Sequence, residues 1–233
     1  MVGLGRKVVG FVSVAAAAYA VVVRPRLVRW GASDEEVTRA YPGADLIPDG
    51  TRASTMAVTI GASPAEVWPW LVQMGGDRAG WYSWDRLDNG GHPSAREVHP
   101  EWQHLSVGDW LSAWSPRGPM KAWEVVAFEP NRFLGLRGLS DFRGNVIDAT
   151  QPRPSAFTEG LWGFLLEEFH GDRSRLVVGG YQAMRPRWLE RFVNFWVYPP
   201  VHWVMQTRQF ANLKRNIETS RTSATVKQAE VRA

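Results

Sequence analysis

The chain has 233 residues and a formal net charge of +4, and it contains 13 tryptophans and 10 phenylalanines but no cysteine. The absence of cysteine excludes a disulfide framework, a thiolate zinc site and a cysteine nucleophile, and so many large rings indicate a broad apolar interior or a cavity. Because five of the 27 basic residues but none of the 23 acidic ones fall within residues 1–30, the rest of the chain carries a net charge of −1. No basic surface remains to follow a phosphate backbone, which excludes nucleic acid as a partner.

The N-terminus contains an apolar segment, residues 8–23, that carries no charge. As a helix it would be about 24 Å long, somewhat short of the roughly 30 Å hydrocarbon layer of a bilayer. A cleaved signal peptide with its cleavage site after Ala20, an uncleaved membrane anchor and a buried core helix are the three interpretations. The anchor is favoured, because the segment has no polar face and because the arginines directly after it oppose export. The sequence thus predicts that residues 1–30 hold the protein at the cell membrane, single-pass or peripheral, with the domain on the cytoplasmic side.

Two segments lack the pattern of a long element. Residues 31–54 contain Pro42 and Pro48, so only a short turn capped by Ser33 is predicted there. This segment is predicted to be a linker between the anchor and the domain. Residues 219–233 have no hydrophobic periodicity and are predicted to be disordered.

The domain is predicted to begin at residue 55 with a strand followed by a helix. Met56, Val58 and Ile60 alternate with smaller residues, which is the period of a half-buried strand. The sequence Ser-Pro-Ala-Glu at 63–66 is a capping box with proline at the first helical position. It predicts a helix that ends at the glycine pair 75–76.

The remaining elements are strands and then a helix. Strand character, bounded by turns rich in proline, glycine, asparagine and aspartate, is found at 107–114, 120–128, 133–139, 159–170 and 174–184. A helix is predicted from Arg187 to about Glu218, divided by Pro199 and Pro200. This order predicts an α+β domain in which a curved antiparallel sheet packs on a long C-terminal helix and leaves a hollow between them.

Several stretches resemble the helix-grip superfamily called SRPBCC, which includes START domains, birch-pollen-allergen-like proteins and polyketide cyclases. They are "ASPAEVWPWLVQMGGDRAGWYSWDRLDN", "VGDWL", "WEVVAFEPNRFLGLR", "LWGFLLEEFHGDRSRLVVGGYQ" and "HWVMQTRQFANLKRNIE". The N-terminal half is most similar to actinobacterial members that have an N-terminal membrane segment. The resemblance implies a helix-grip domain over residues 55–218, with about six or seven strands around the C-terminal helix. It does not imply one reaction, because this superfamily hosts carriers, hormone binders and enzymes.

The stretch "GWYSWDRLDNGG", residues 80–91, is the candidate ligand-binding site. In the resembled fold it lies at the mouth of the cavity, where aromatic rings provide apolar surface and a few polar groups fix a ligand. The alternative is that the rings are core and the acids are helix caps. The predicted ligand-binding residues are this stretch and the facing helix, namely Trp81, Tyr82, Trp84, Asp85, Asn89, Trp196, Trp203 and Met205.

No catalytic residue, metal site or cofactor is predicted. His92, His99 and His104 have spacings that match no zinc motif. A catalytic role for Asp85 or Asp88 would need a carboxylate with a pKa shifted by burial, which a sequence does not reveal. The glycines match no nucleotide-binding fingerprint.

The sequence therefore predicts a non-catalytic module that binds or transports a hydrophobic small molecule or lipid at a membrane. The alternative is an enzyme similar to a polyketide cyclase or aromatase. A third interpretation is a partner of membrane proteins, with the apolar stretch 192–205 as its docking surface.

Overall fold

The structure is a computed structural model that describes residues 13–115 and 118–232. It is a mixed α+β arrangement of an open, eight-stranded antiparallel sheet and a 35-residue C-terminal helix. The strands are β1 Thr51–Arg52, β2 Met56–Ile60, β3 Trp110–Ser115, β4 Gly118–Glu129, β5 Phe133–Ser140, β6 Phe157–Phe169, β7 Arg173–Gly179 and β8 Tyr181–Arg185. The helices are α1 Arg24–Val28, α2 Asp34–Thr38, α3 Pro64–Val72, α4 Asp85–Asp88, α5 Arg187–Phe192 and α6 Tyr198–Arg232. Two π-helical turns, Tyr19–Val23 and Val193–Val197, precede α1 and α6.

The sheet divides at strand β6. One edge of β6 pairs with β5, and the sheet continues through β4 to β3. On its other edge, residues 157–160 pair with β8 and residues 163–169 pair with β7. Gly180, at the junction of β7 and β8, has a φ of +152°. The two strands β1 and β2 then extend the divided edge by pairing with β8 and β7 respectively.

The main core lies between the sheet and the helices α3 and α6. Phe210, Leu213 and Ile217 of α6 are buried there together with residues of β2, β6, β7 and α3. Apolar residues spaced three and four apart on α6 give it one buried face, as the sequence predicts. The Glu66 carboxylate accepts hydrogen bonds from the Ser63 backbone N–H and hydroxyl, both at 2.8 Å, at the predicted start of α3.

Residues 31–54 are not a free linker, which corrects the prediction from the sequence. Tyr41 is buried and its hydroxyl lies 2.8 Å from the Gly163 carbonyl, on the face of the sheet opposite to α6. Glu36 of α2 forms an ion pair with Arg175 of β7 at 2.7 Å. Prolines prevent a long element in this segment, but they do not prevent a well-packed irregular one. The folded unit therefore begins before residue 55.

The chain even before residue 31 contacts the sheet. The carbonyl groups of Val28 and Trp30 accept hydrogen bonds from the N–H groups of Thr55 and Ala57, at 2.8 and 3.0 Å. The Trp30 ring stacks on Phe210 of α6 with 6.0 Å between the ring centroids. The predicted boundary between anchor and linker at residue 30 would separate these residues from the sheet and the helix that they contact.

The predicted membrane anchor is only partly described by the structure. Residues 8–12 lie outside the described part, and residues 13–28 are helical with a π-helical turn. Among the described residues, no helix has both the length and the apolarity needed to cross a membrane.

The proline pair does not divide the C-terminal helix but changes its local geometry. Prolines lack the N–H that an α-helix requires, so the carbonyl groups one turn earlier lose their donors. The chain responds with the π-helical turn, in which the Tyr198 N–H donates to the Val193 carbonyl. The freed Phe195 carbonyl accepts a hydrogen bond from the Tyr19 hydroxyl at 2.9 Å. The N-terminal helix is thus held by backbone groups that the prolines leave unpaired.

The helix α6 also continues through Arg232, where the sequence predicts disorder from residue 219. Arg221 forms hydrogen bonds with the Gly61 carbonyl at 2.6 Å and with Asp172 at the β6–β7 turn. These long-range contacts hold a turn of the helix that has no apolar face of its own.

Candidate functional site

A cavity of about 280 Å³ lies between the sheet, the loop before α4 and the first half of α6. Strands β4, β6 and β8 form its floor, and residues 198–209 of α6 form its roof. The side chains and backbone that line it belong to Trp81, Ser83, Asp88, Ala113, Trp123, Gly160, Leu161, Trp162, Gly179, Gln182, Tyr198, Val201, His202, Met205, Gln206 and Gln209. Most of this surface is apolar, and two glycines, Gly160 and Gly179, bring the sheet backbone close to the space.

Three tryptophan rings form one wall of the cavity. Trp81 stacks on Trp162 with ring centroids 5.4 Å apart, and Trp162 lies 5.4 Å from Trp123. The Trp81 N–H donates to the Ser112 carbonyl at 3.2 Å, which joins the loop to strand β3. Offset ring pairs of this kind are favourable beyond the area they bury, so the wall is rigid.

Two buried glutamines of α6 support this wall. The Trp162 N–H donates to Gln206 Oε1 at 3.3 Å, and the Gln206 amide donates to Gln209 Oε1 at 2.7 Å. The Gln209 amide then donates to the Trp81 carbonyl at 2.9 Å. Since the chain of bonds begins and ends on the tryptophan wall, these amides position the rings and need no partner from a ligand.

A polar cluster joins the roof of the cavity to the chain before β2. His202 Nδ1 lies 2.8 Å from the Ser54 hydroxyl, and the Tyr198 hydroxyl lies 3.4 Å from the same atom. The rings of Tyr198 and His202 are stacked at 4.8 Å. Although His202 is only partly buried, removal from water lowers its pKa to about 4, and burial raises the pKa of Tyr198 to about 12. Both groups are therefore uncharged at neutral pH.

Asp88 of α4 is the charged group of the cavity. Its Oδ1 atom is buried and has no hydrogen-bond partner among the described residues. Burial and the nearby Asp85 carboxylate raise the pKa of Asp88 to about 6. The negative charge of this carboxylate is thus poorly stabilised by the protein groups around it.

We expect Asp88→Asn to stabilise the fold at pH 7.5 by about 1 kcal/mol. A pKa shift of about two units corresponds to about 2–3 kcal/mol, reduced here because the carboxylate keeps partial contact with solvent. Because this pKa is higher in the folded protein than in the unfolded chain, the destabilisation is complete above pH 6 and disappears below about pH 4. Urea denaturation of both proteins between pH 4 and 8 measures the difference. Equal stability at pH 7.5 would contradict an uncompensated charge.

The structure brings only part of the predicted site to the cavity. Trp81 and Met205 line it, and the Ser83 hydroxyl donates to the Met205 carbonyl at 3.0 Å. Tyr82 is instead fully buried in the core, where its hydroxyl lies 2.5 Å from the Gln73 amide. Trp84 is 42% exposed and its N–H donates to the Val204 carbonyl outside the cavity.

The predicted polar residues of the stretch have local roles. Asp85 accepts hydrogen bonds from the N–H and the hydroxyl of Ser94, at 3.2 and 2.6 Å. The Asn89 amide is buried and donates to the His92 carbonyl at 2.6 Å. Both hydrogen bonds hold the loop after α4, and neither side chain lines the cavity. Asp88, one helical turn after Asp85, takes the position at the cavity that the sequence assigns to Asp85.

The two remaining predicted residues lie beside the cavity. Trp196 is exposed and stacks on Tyr19 of the N-terminal helix with ring centroids 4.9 Å apart. Trp203 packs against the main core. Sequence reasoning did not select Trp123, Trp162, Gln206 or Gln209. The sequence does mark the two glutamines as unusual, because two amide side chains three residues apart interrupt the apolar face of a helix that packs on a sheet.

The histidines provide no metal site in the described part of the chain. His99 lies 3.2 Å from Glu101, and the His92 ring packs against Trp114 at 5.2 Å. No group of three potential metal ligands is found among the described residues.

Fold and site define an α+β protein with a mostly apolar cavity between an antiparallel sheet and a long C-terminal helix. No family model matches the sequence. No curated protein matches it at a significant level either.

The solved structures that resemble this one are distant from it in sequence. One, from Arthrobacter aurescens, is 15% identical with a TM-score of 0.41, over 71% of this chain and 86% of that one. NE0264 from Nitrosomonas europaea is 8% identical with a TM-score of 0.44, over 71% and 95% of the two chains. DynU16, from the dynemicin biosynthetic locus, is 18% identical with a TM-score of 0.37, over 71% of this chain and 47% of that one. At these values the likeness carries no argument about this chain.

Proposed function

We propose that this protein binds a hydrophobic small molecule or lipid in the cavity between sheet and α6, without catalysing a reaction. The observation that carries the proposal is the composition of the cavity wall: three tryptophans and other apolar groups surround the space. Most polar groups there bind one another. Ligand sites commonly combine such apolar surface with a small number of polar groups. The volume of about 280 Å³ suits a compact ligand.

We also propose that the domain is a helix-grip member of the SRPBCC superfamily, as the sequence motifs indicate. Two features support this assignment: α6 packs on one face of the antiparallel sheet, and the cavity lies between them. Divergent members of this superfamily bind different ligands, so the assignment adds no specific ligand.

We expect Ala113→Trp to weaken binding of an apolar fluorescent probe, N-phenyl-1-naphthylamine, at least tenfold while the fold is retained. Ala113 lines the cavity from strand β3, so a large ring at this position occupies the space of a ligand. Ala211→Trp on the exposed surface of α6 is the matched control and should leave binding unchanged. Fluorescence titration measures the affinity, and the circular dichroism spectrum measures the fold. If both variants bind as the wild type does, the probe binds elsewhere and the cavity is not the site.

A second candidate function is acid–base catalysis on a hydrophobic substrate, in the manner of a polyketide cyclase. The observation in its favour is Asp88, whose carboxylate has a pKa of about 6 and lines the cavity. A group with a pKa near neutral both accepts and donates protons efficiently. Native mass spectrometry of the purified full chain discriminates the two functions, because a carrier retains an unmodified ligand whereas an enzyme releases its product.

We propose in addition that the protein is held at the cell membrane, with residues 8–23 as the contact and the domain on the cytoplasmic side. Exposed apolar side chains of the C-terminal helical region support this location. They recur at helical spacing along this region and are Trp188, Phe192, Trp196, Val197, Val201 and Val204. Residues 191–217 contain no acidic residue, and residues 1–33 contain none. Exposed aromatic rings bordered by arginine are typical of surfaces that lie at a lipid interface.

We expect Trp188→Ser to weaken binding of the full chain to phosphatidylcholine vesicles with one quarter phosphatidylserine several-fold. Trp188 is 69% exposed and is one of these apolar residues, whereas Val107 is 63% exposed and lies before strand β3. Val107→Ser is therefore the control for loss of an exposed apolar group. Co-sedimentation at low and at high salt measures the binding. Failure of the wild type to bind these vesicles would refute the membrane contact but not the cavity function.

A further inference from the structure

One polar atom of the cavity is left without a partner. The Asp88 Oδ1 atom is the only buried, unpaired side-chain atom among the described residues that line the cavity. No described cationic side chain forms an ion pair with Asp88. A buried acceptor without a donor is destabilising, so a native protein seldom retains one without a reason.

Most of the other polar groups around the cavity have their own partners. Gln206 and Gln209 bond to each other and to the tryptophan wall, and His202 bonds to Ser54. Asp85, which could have shared a proton with Asp88, accepts hydrogen bonds from Ser94. A ligand in this cavity therefore meets mostly apolar surface, and Asp88 Oδ1 is the buried acceptor there that has no partner among the described residues.

We propose that the ligand is a flat apolar ring molecule with one hydrogen-bond donor, a hydroxyl or an amine, which it donates to Asp88 Oδ1. Trp81, Trp123 and Trp162 provide aromatic surface along one wall for the ring system. A volume of about 280 Å³ accommodates two or three fused rings. This inference rests on the proposed binding function and specifies its ligand class. A donor bound to a buried carboxylate forms a charge-assisted hydrogen bond, which is stronger than a neutral one.

Three naphthalene probes that differ in their hydrogen-bond donor test the inference on the full chain by isothermal titration calorimetry. 2-Naphthol has the donor, 2-methoxynaphthalene lacks it, and 2-naphthylmethylamine offers a cationic donor. We expect the wild type to bind 2-naphthol or the amine at least tenfold more tightly than 2-methoxynaphthalene, and the tighter of the two identifies the donor. Asp88→Leu should abolish this preference and leave the affinity for 2-methoxynaphthalene within threefold of the wild-type value. Asp45→Leu, at an exposed position outside the cavity, should preserve the preference.

The possible results distinguish a failure of this inference from a failure of the proposed binding function. Equal affinities of the wild type for all three probes, or an unchanged preference in Asp88→Leu, would overturn the role of Asp88 while the cavity remains a binding site. No binding of any probe by the wild type would overturn both. If Asp88→Leu does not fold, Asp88→Asn replaces it. An undiminished preference for the amine in that uncharged variant would contradict a charge-assisted bond.

Discussion

Replacing Trp81 by alanine is expected to lower the free energy of unfolding by about 3–5 kcal/mol, the usual cost of removing a large buried ring. Trp81 is only 3% exposed, stacks on Trp162, and donates its N–H to the Ser112 carbonyl. Its backbone carbonyl also accepts a hydrogen bond from Gln209. The ring is therefore core and cavity wall at once, so its loss should weaken both the fold and ligand binding. Chemical denaturation monitored by circular dichroism measures the change.

Trp84→Ala is the matched control for this prediction. Trp84 lies three residues further along and is 42% exposed, with its ring beside Arg208. We expect Trp84→Ala to lower the free energy of unfolding by about 1 kcal/mol or less, as surface substitutions usually do. If Trp81→Ala stays within 1 kcal/mol of the wild type and loses probe binding, Trp81 belongs to the ligand site alone. That result would match a rim role for residues 81–89, which the sequence predicts.

Gly180→Ala is expected to destabilise the protein by about 4 kcal/mol or more, and to leave little folded protein at 37 °C. A Cβ atom at this position would lie 1.8 Å from the Leu161 carbonyl oxygen, and the φ of +152° is one that residues with a side chain rarely adopt. The clash is with backbone of β6, which cannot move without breaking its pairing with β5. Gly180 permits β7 and β8 to pair with different parts of β6, and the β6 residues at this division, Gly160, Leu161 and Trp162, line the cavity.

The control for Gly180 is Gly171 in the turn between β6 and β7. Gly171 also has a positive φ, of +70°, but a Cβ atom there would meet nothing within 4 Å. Gly171→Ala should therefore cost only the backbone strain, about 1–2 kcal/mol. Thermal and urea unfolding of both variants compare the two costs. Similar losses in both would mean that backbone strain, and not the division of the sheet, governs this position.

The sequence by itself determined the elements whose causes are local. The capping box at Ser63, the alternation of β2, the hairpins and the start of the C-terminal helix near Arg187 each depend on residues within a few positions of one another. The apolar spacing of Phe210, Leu213 and Ile217 likewise indicated which face of α6 is buried. These signals suffice for an α+β arrangement of antiparallel strands and a terminal helix.

The tertiary structure decided the roles of single residues, because these depend on partners far away in the chain. Asp85 and Asp88 have the same side chain, so the sequence does not distinguish their roles. Asp85 accepts a hydrogen bond from Ser94, whereas Asp88 lies at the cavity with one carboxylate oxygen unpaired. Tyr41 has no local pattern, and its burial arises from strands more than a hundred residues later. The proline pair indicated a break, yet the chain stays helical there, and the Tyr19 hydroxyl donates to the Phe195 carbonyl, which Pro199 leaves without an N–H donor. Local propensity is set by neighbours, whereas burial and hydrogen-bond partners are set by the packing of the whole chain, and the chemistry of the cavity depends on the latter.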